Sequence, residues 1–217
     1  MRHVLLSSLV IATLLAIAPL ANAEEWIELP GSGGAQSNTQ SPSDAFHQAT
    51  QLVNQGQFEE AIREFKTAIE SDPGNTEAYY RLALLYQRMR RWGDAATTAE
   101  KAFRLDGRNP EIQALWGHAL LREGRYPETI WVLEGLLRLN SGASMHEVYY
   151  DLAEACYAMK WYQRSVDYAL RHLQEGETPE GHALLARSYL AMGYKDKAMG
   201  ELQKAVSLYE SVDDQLR

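Results

Sequence analysis

The chain has 217 residues, with 21 Lys and Arg against 29 Asp and Glu and a formal charge of −8. That balance argues against a general nucleic-acid binder, whose footprint is a basic domain. A single cysteine excludes an intramolecular disulfide, a cysteine-based zinc finger, a CxxC redox pair and CxxCH haem attachment. Seven prolines and fifteen glycines are too few for a collagen-like or disordered chain.

The first element is an export signal. Arg2 and His3 precede an almost wholly apolar stretch from Val4 to Leu20, and Ala21-Asn22-Ala23 has the small-x-small form of a peptidase site. The stretch is at the short end for crossing a ~30 Å hydrocarbon core and ends in Pro and Ala rather than in basic anchors. Residues 1–23 are therefore expected to be a signal peptide cleaved after Ala23, leaving no stable membrane anchor. With no cysteine at that site, lipid attachment there is excluded. The short basic start and the Ala-x-Ala site suit bacterial export, and the periplasm is the expected location. Residues 24–41 read as a flexible linker: Pro30-Gly31-Ser32-Gly33-Gly34 leads into a Ser, Asn, Thr and Gln run. Trp26, Ile27 and Leu29 ahead of it either fold back on the domain, lie disordered or form a short docking segment.

From residue 42 the chain repeats itself. Small residues recur at Ala49, Ala83, Gly117, Ala153 and Ala186, spaced 34, 34, 36 and 33 residues apart. Ala61, Ala95, Thr129, Ser165 and Ala198 repeat the same spacings, and Phe58, Trp92, Tyr126 and Tyr162 follow the first three. Within each repeat the apolar residues fall at helical intervals, as in Tyr79, Leu82, Ala83 and Tyr86. The small residues allow two antiparallel helices to approach closely. Gly56, Gly124 and Gly193 mark turns between them, and Pro127 near a helix start loses no needed N–H. Five pairs of helices are predicted, over 42–75, 76–109, 110–145, 146–178 and 179–212, with a polar tail at 213–217. Ser141 to Ser144 adds residues between the third and fourth repeats, enough to alter the angle there. Trp92, Trp116, Tyr126, Tyr149 and Tyr162 are expected in the core, as is Cys156.

This pattern resembles the tetratricopeptide repeat, a 34-residue helix–turn–helix carried here by residues such as Tyr79, Leu82, Ala83, Tyr86, Ala95 and Ala102, and again by Leu185, Ala186, Tyr189, Ala198, Leu202 and Ala205. Only the first repeat keeps a closing proline, Pro73, at the family's place. The resemblance implies an all-α fold, a right-handed α-solenoid of about five helix–turn–helix units. It also implies a concave groove lined by first helices and used to bind protein. Carried over residue by residue, the groove positions are Phe46, Tyr80, Leu84, His118, Tyr150, Glu154, Tyr157 and Arg187, with Thr50, Gln87, Ala114, Leu121 and Ala183 beside them. Family members that hold a peptide's terminal carboxylate use a Lys and an Asn in the first repeat's groove. Phe46 and Thr50 stand there instead, so that clamp is not expected.

Little else points to chemistry. His146-Glu147 opens like a helical zinc motif, but position 150 is tyrosine. The other mature histidines are scattered, and no Gly-x-Ser-x-Gly elbow occurs. No catalytic residue, metal or cofactor is expected. Charge is uneven: the stretch from Arg81 to Arg108 holds seven basic and three acidic residues. Arg81, Arg88, Arg90, Arg91 and Arg104 form a candidate basic patch, either for an acidic partner or as a solvated rim. The reading that results is a non-enzymatic periplasmic adaptor or scaffold. It would bind a peptide segment or helix of another envelope protein, and no nucleic acid, in its groove. The alternatives are a homo-oligomeric scaffold joined through terminal repeats and an accessory module of an envelope biogenesis complex. Leu202, Val206 and Tyr209 are expected to leave apolar surface on the last helix.

Overall fold

Polar caps set where the first helix of most repeats begins. In the computed structural model, which describes residues 41–139 and 145–215, Ser41 and Asp44 form a capping box that starts helix α1 (Pro42–Asn54). Asn75 Oδ1 accepts the Ala78 N–H at 2.9 Å and starts α3 (Thr76–Arg88). Asn109 Oδ1 caps α5 (Pro110–Glu123) through the N–H groups of Glu111 and Ile112. Thr178 Oγ1 caps α9 (Pro179–Ala191) through the Gly181 N–H. Such caps are worth about 1 kcal/mol each. Helix α7 (His146–Ala158) follows Met145 and has no side-chain cap. The second helices are α2 (Phe58–Ser71), α4 (Trp92–Leu105), α6 (Tyr126–Leu139), α8 (Tyr162–Glu175) and α10 (Lys195–Gln215). Among the described residues these ten helices are accompanied by no strand. All lie in one unit, Thr39–Arg217.

One left-handed residue closes each first helix. Gly56, Arg90, Gly124, Lys160 and Gly193 all have φ between 57° and 87°, and they stand 34, 34, 36 and 33 residues apart. Two of the five are not glycine, which costs about 1–2 kcal/mol in this conformation, so the turn geometry overrides local preference. Each first helix then packs antiparallel on its second helix, and each second helix packs on the next first helix. The first helices also touch their successors, α3 on α5, α5 on α7 and α7 on α9, whereas the backbones of the second helices make no comparable approach. First helices therefore form the tight inner row of an α-solenoid. Among the described residues, long side chains bridge the outer row in two places: Arg91 at the start of α4 pairs with Glu59 of α2 at 3.7 Å, and Arg164 pairs with Glu134, to which the Tyr168 hydroxyl donates at 2.7 Å.

The core runs along the stack as a series of buried clusters, with Trp116 and Tyr168 each packing against two of them. Ala49, Ala61, Ala83, Ala95, Ala153, Ala186 and Ala198 are fully buried at the small-residue positions. Thr129 and Ser165 replace alanine there and are fully buried too. Their hydroxyls are satisfied locally: Thr129 donates to the Arg125 carbonyl, and Ser165 donates to the Ala153 carbonyl at 2.8 Å beside Ser188. Cys156 is fully buried. Trp92, Trp116, Tyr126, Tyr149 and Tyr162 are only half-buried, their rings reaching the surface of the stack.

The export signal and all but the last residue of the linker fall on residues 1–40, outside the described residues, as does the inserted stretch Ser141 to Ser144. Helix α10 continues to Gln215, past position 213 where a tail was expected. Leu202, Val206 and Tyr209 are 43%, 54% and 53% exposed, the apolar surface the sequence suggests.

Candidate functional site

Five of the eight groove residues, Leu84, Tyr150, Glu154, Tyr157 and Arg187, line three recesses, and Phe46, Tyr80 and His118 line none of these. At the N-terminal end, Thr50, Val53 and Asn54 of α1 face Arg81, Leu84 and Arg88 of α3 across a small cavity. Phe65 also lines it, and Phe46, half-buried, packs edge-to-face on Phe65 with ring centres 5.8 Å apart, so Phe46 is not a free anchor. Tyr80 and Leu84 lie against Trp116 and the buried Ala83, Ala99 and Leu115. Burial and the nearby Glu111 and Glu77 push the Tyr80 hydroxyl pKa up, so it stays a neutral donor.

The central recess joins three groove residues from two helices. Glu154, Tyr157 and Arg187 line it together with Leu121, Arg122 and Tyr126. The Arg187 guanidinium sits over the Tyr157 ring at 4.4 Å, a contact worth about 0.5–1 kcal/mol at an exposed site. The recess thus offers an aromatic wall, a cation and a carboxylate within one opening. His118 is not a free groove donor. Its Nδ1 donates to the buried Asp151 carboxylate at 2.9 Å, tying α5 to α7, and this hydrogen bond holds the imidazole pKa above its usual value against the opposing effect of burial.

The third recess lies among His146, Glu147, Tyr150, His172, Thr178 and Glu180. Burial raises the Tyr150 hydroxyl pKa, with Glu154 and Glu180 adding to it. Its ring lies 5.3 Å from that of His172. His172 donates from Nδ1 to the His146 carbonyl at 2.9 Å and accepts the Thr178 hydroxyl at Nε2 at 2.7 Å, a pattern that fits neutral imidazole. Burial lowers its pKa, in agreement.

The five arginines of the basic stretch do not form one patch. Arg81 and Arg88 open into the first recess. Arg90 and Arg91 sit at the α3–α4 turn, and Arg104 is at the far end of α4, about 18 Å away along the axis. Arg81 pairs with Glu77, Arg91 with Asp94 and Arg104 with Glu100. Arg88 and Arg91 also lie over the rings of Phe58 and Tyr86.

Sequence reasoning missed Arg122, which shares its repeat position with Arg88 and could have been found by that register. It also missed Trp131, 66% exposed on α6. With Phe103 and Trp116 it lines an outer-face recess, and no repeat position signals it. Among the described residues, no group of three or more His, Cys, Asp or Glu could hold a metal ion. Cys156 is walled off by its neighbours, and burial pushes its thiol pKa up to about 11. It should react with a thiol reagent at neutral pH only when the chain unfolds. Rapid labelling of the native protein would contradict that placement.

Comparison with known proteins bears directly on this architecture. Models of the tetratricopeptide repeat match residues 52–117 and 179–211. The chain is a tetratricopeptide-repeat protein. Solved structures share the fold. The crystal structure of MamA is 21% identical with a TM-score of 0.72, covering 76% of this chain and 96% of that one. MamA from Desulfovibrio magneticus RS-1, residue 41 to the end, is 17% identical with a TM-score of 0.73, covering 82% and 98%. YrrB, described as "a TPR protein with an unusual peptide-binding site", is 17% identical with a TM-score of 0.68, covering 79% and 88%. At these identities the likeness is one of fold. The cytochrome c-type biogenesis protein CycH of Pseudomonas aeruginosa is 33% identical over 67 residues, 31% of this chain; the match spans only 16% of CycH. Tetratricopeptide-repeat proteins generally serve as scaffolds for protein–protein interaction, and the inner-row recesses are this repeat protein's candidate surface for it.

Proposed function

We propose that this chain is a non-enzymatic adaptor, exported to the periplasm, that holds a peptide segment or a helix of another envelope protein along its inner row of helices. The observation that carries the reading is the central recess, where Glu154, Tyr157 and Arg187 converge beside Arg122 and Leu121. Aromatic and arginine side chains of this kind are the usual anchors of binding energy. YrrB's peptide-binding site on a similar fold supports the reading, and the signal-like residues 1–23 support export. The partial match to CycH favours one narrower version, an accessory module of an envelope biogenesis complex.

A photocrosslinking residue at Tyr150 in the native host tests the groove. One dominant foreign protein should be captured, and capture should drop when Tyr80 and Tyr157 are replaced by Ala in the same chain while helical content is unchanged. Undiminished capture by the folded variant would sink the site, and crosslinks only between copies of the chain would sink the adaptor reading.

A further inference from the structure

The two ends of the solenoid are built differently. At the start, α1 carries Asp44, Gln48 and Gln51 at the register positions where α3 carries Ala78, Leu82 and Leu85. The three polar residues of α1 are exposed and the three apolar ones of α3 are buried. Among the described residues, α1 therefore presents a polar outer face, as terminal repeats do.

At the other end no such replacement occurs. Met199 stands where the earlier second helices carry Ile62, Ala96, Ile130 and Val166, and Leu202 where they carry Phe65, Ala99, Leu133 and Ala169. Those eight are buried where each second helix meets its own first helix and the next one. In α10 the same seam is bare: Met199 is 59%, Leu202 43% and Val206 54% exposed. Tyr209, 53% exposed, extends the stripe along the longer α10 at its α9 side, its hydroxyl donating to Glu180 at 3.1 Å. The positions 199, 202, 206 and 209 follow the i, i+3, i+7 rule and so share one face. Among the described residues, nothing covers this half of a repeat–repeat joint.

We propose that a second copy of this chain covers the seam, α10 packing antiparallel on α10 about a twofold axis near residue 204. The stripe is self-complementary in that register: Leu202 meets Val206 of the second copy, and Met199 meets its Tyr209. Charge selects the direction. Lys195 lies in the first turn of α10 beside Asp196, and Glu210 lies toward its end, while Lys197 reaches back over the Tyr189 and Tyr194 rings of its own chain. Antiparallel packing brings Lys195 toward Glu210 of the second copy, and parallel packing sets Lys195 against Lys195. Head-to-tail stacking is ruled out, because it would bury Asp44, Gln48 and Gln51 against the apolar stripe. The contact therefore closes as an isologous dimer rather than growing into a filament. It leaves the inner row open and does not depend on the adaptor reading.

Sedimentation of the purified protein over a wide concentration range provides the test. The expected species is a dimer, with Val206→Glu raising its dissociation constant about tenfold or more without loss of helical content. Register is read by cysteine pairing: Met199→Cys with Tyr209→Cys should crosslink copies under mild oxidation, and Met199→Cys alone should crosslink poorly. The two positions on one helix are about 15 Å apart, too far to pair within a chain. A protein that stays monomeric at every concentration overturns the proposal. So does a dimer indifferent to Val206→Glu, or a single Met199→Cys variant that crosslinks as well as the pair.

Discussion

Replacing Gly117 by Ala should destabilise the protein by about 1–3 kcal/mol, the usual cost of overpacking a core. Gly117 lies on α5, facing α6, where the other four repeats carry alanine. A Cβ at position 117 would fall 2.1 Å from Leu133 Cδ2 and 2.5 Å from its Cγ. Leu133 is fully buried and packed among Ile130, Leu136 and Leu152, so it has little room to turn away. The second repeat shows another solution for the same two positions: Ala83 with Ala99. Combining Gly117→Ala with Leu133→Ala should therefore cost less than the sum of the two changes measured separately, because one removes the clash that the other creates. Chemical denaturation of the four proteins checks this. Unchanged stability of Gly117→Ala, or strict additivity of the pair, would contradict the close approach of α5 and α6.

Replacing His118 by Ala should cost about 1–3 kcal/mol, because it leaves the buried Asp151 carboxylate without its imidazole donor. The loss should depend on pH. The hydrogen bond to Asp151 raises the folded-state pKa of His118 above the unfolded value near 6.5. Stability from this linkage is fully present below that unfolded value and is lost as pH climbs through the raised folded one. The difference between wild type and variant should thus be larger at about pH 6 than at about pH 8. His172 contributes with the opposite sign. Its pKa is lowered by burial, so its share is present above the unfolded value and is lost as pH falls through the depressed folded one. Since both proteins contain His172, subtracting their denaturation curves at each pH isolates the His118 effect. A difference that does not change with pH would show that the ring acts only as a spacer.

Periodicity made the fold readable. Alanine and glycine recurring in one register mark where helices touch, and Asn75, Asn109 and Thr178 announce their helices by cap chemistry. Arg90 and Lys160 were harder: nothing in an arginine or a lysine signals a left-handed turn, and only alignment with Gly56, Gly124 and Gly193 reveals it. The candidate site was less legible for a similar reason. Its positions follow from the repeat, but its contacts depend on how one repeat is rotated against the next. His118 and Asp151 come from different register positions in successive repeats, and no spacing rule pairs them. Likewise, the stretch from Arg81 to Arg108 reads as one charged segment, yet antiparallel helices send its members to opposite ends of a hairpin.

The inner row also has a mechanical meaning. First helices touch their successors while the backbones of the outer helices stand apart, so the stack resembles a spring whose coils meet along one side. Opening the curve must part the inner contacts, the His118–Asp151 tie among them, whereas the outer side offers the Glu134 and Arg91–Glu59 bridges as resistance to closing. A polypeptide laid along that row would span several coils at once and stiffen the curve. Occupancy should therefore be readable far from the bound segment, as slower amide exchange in the first helices.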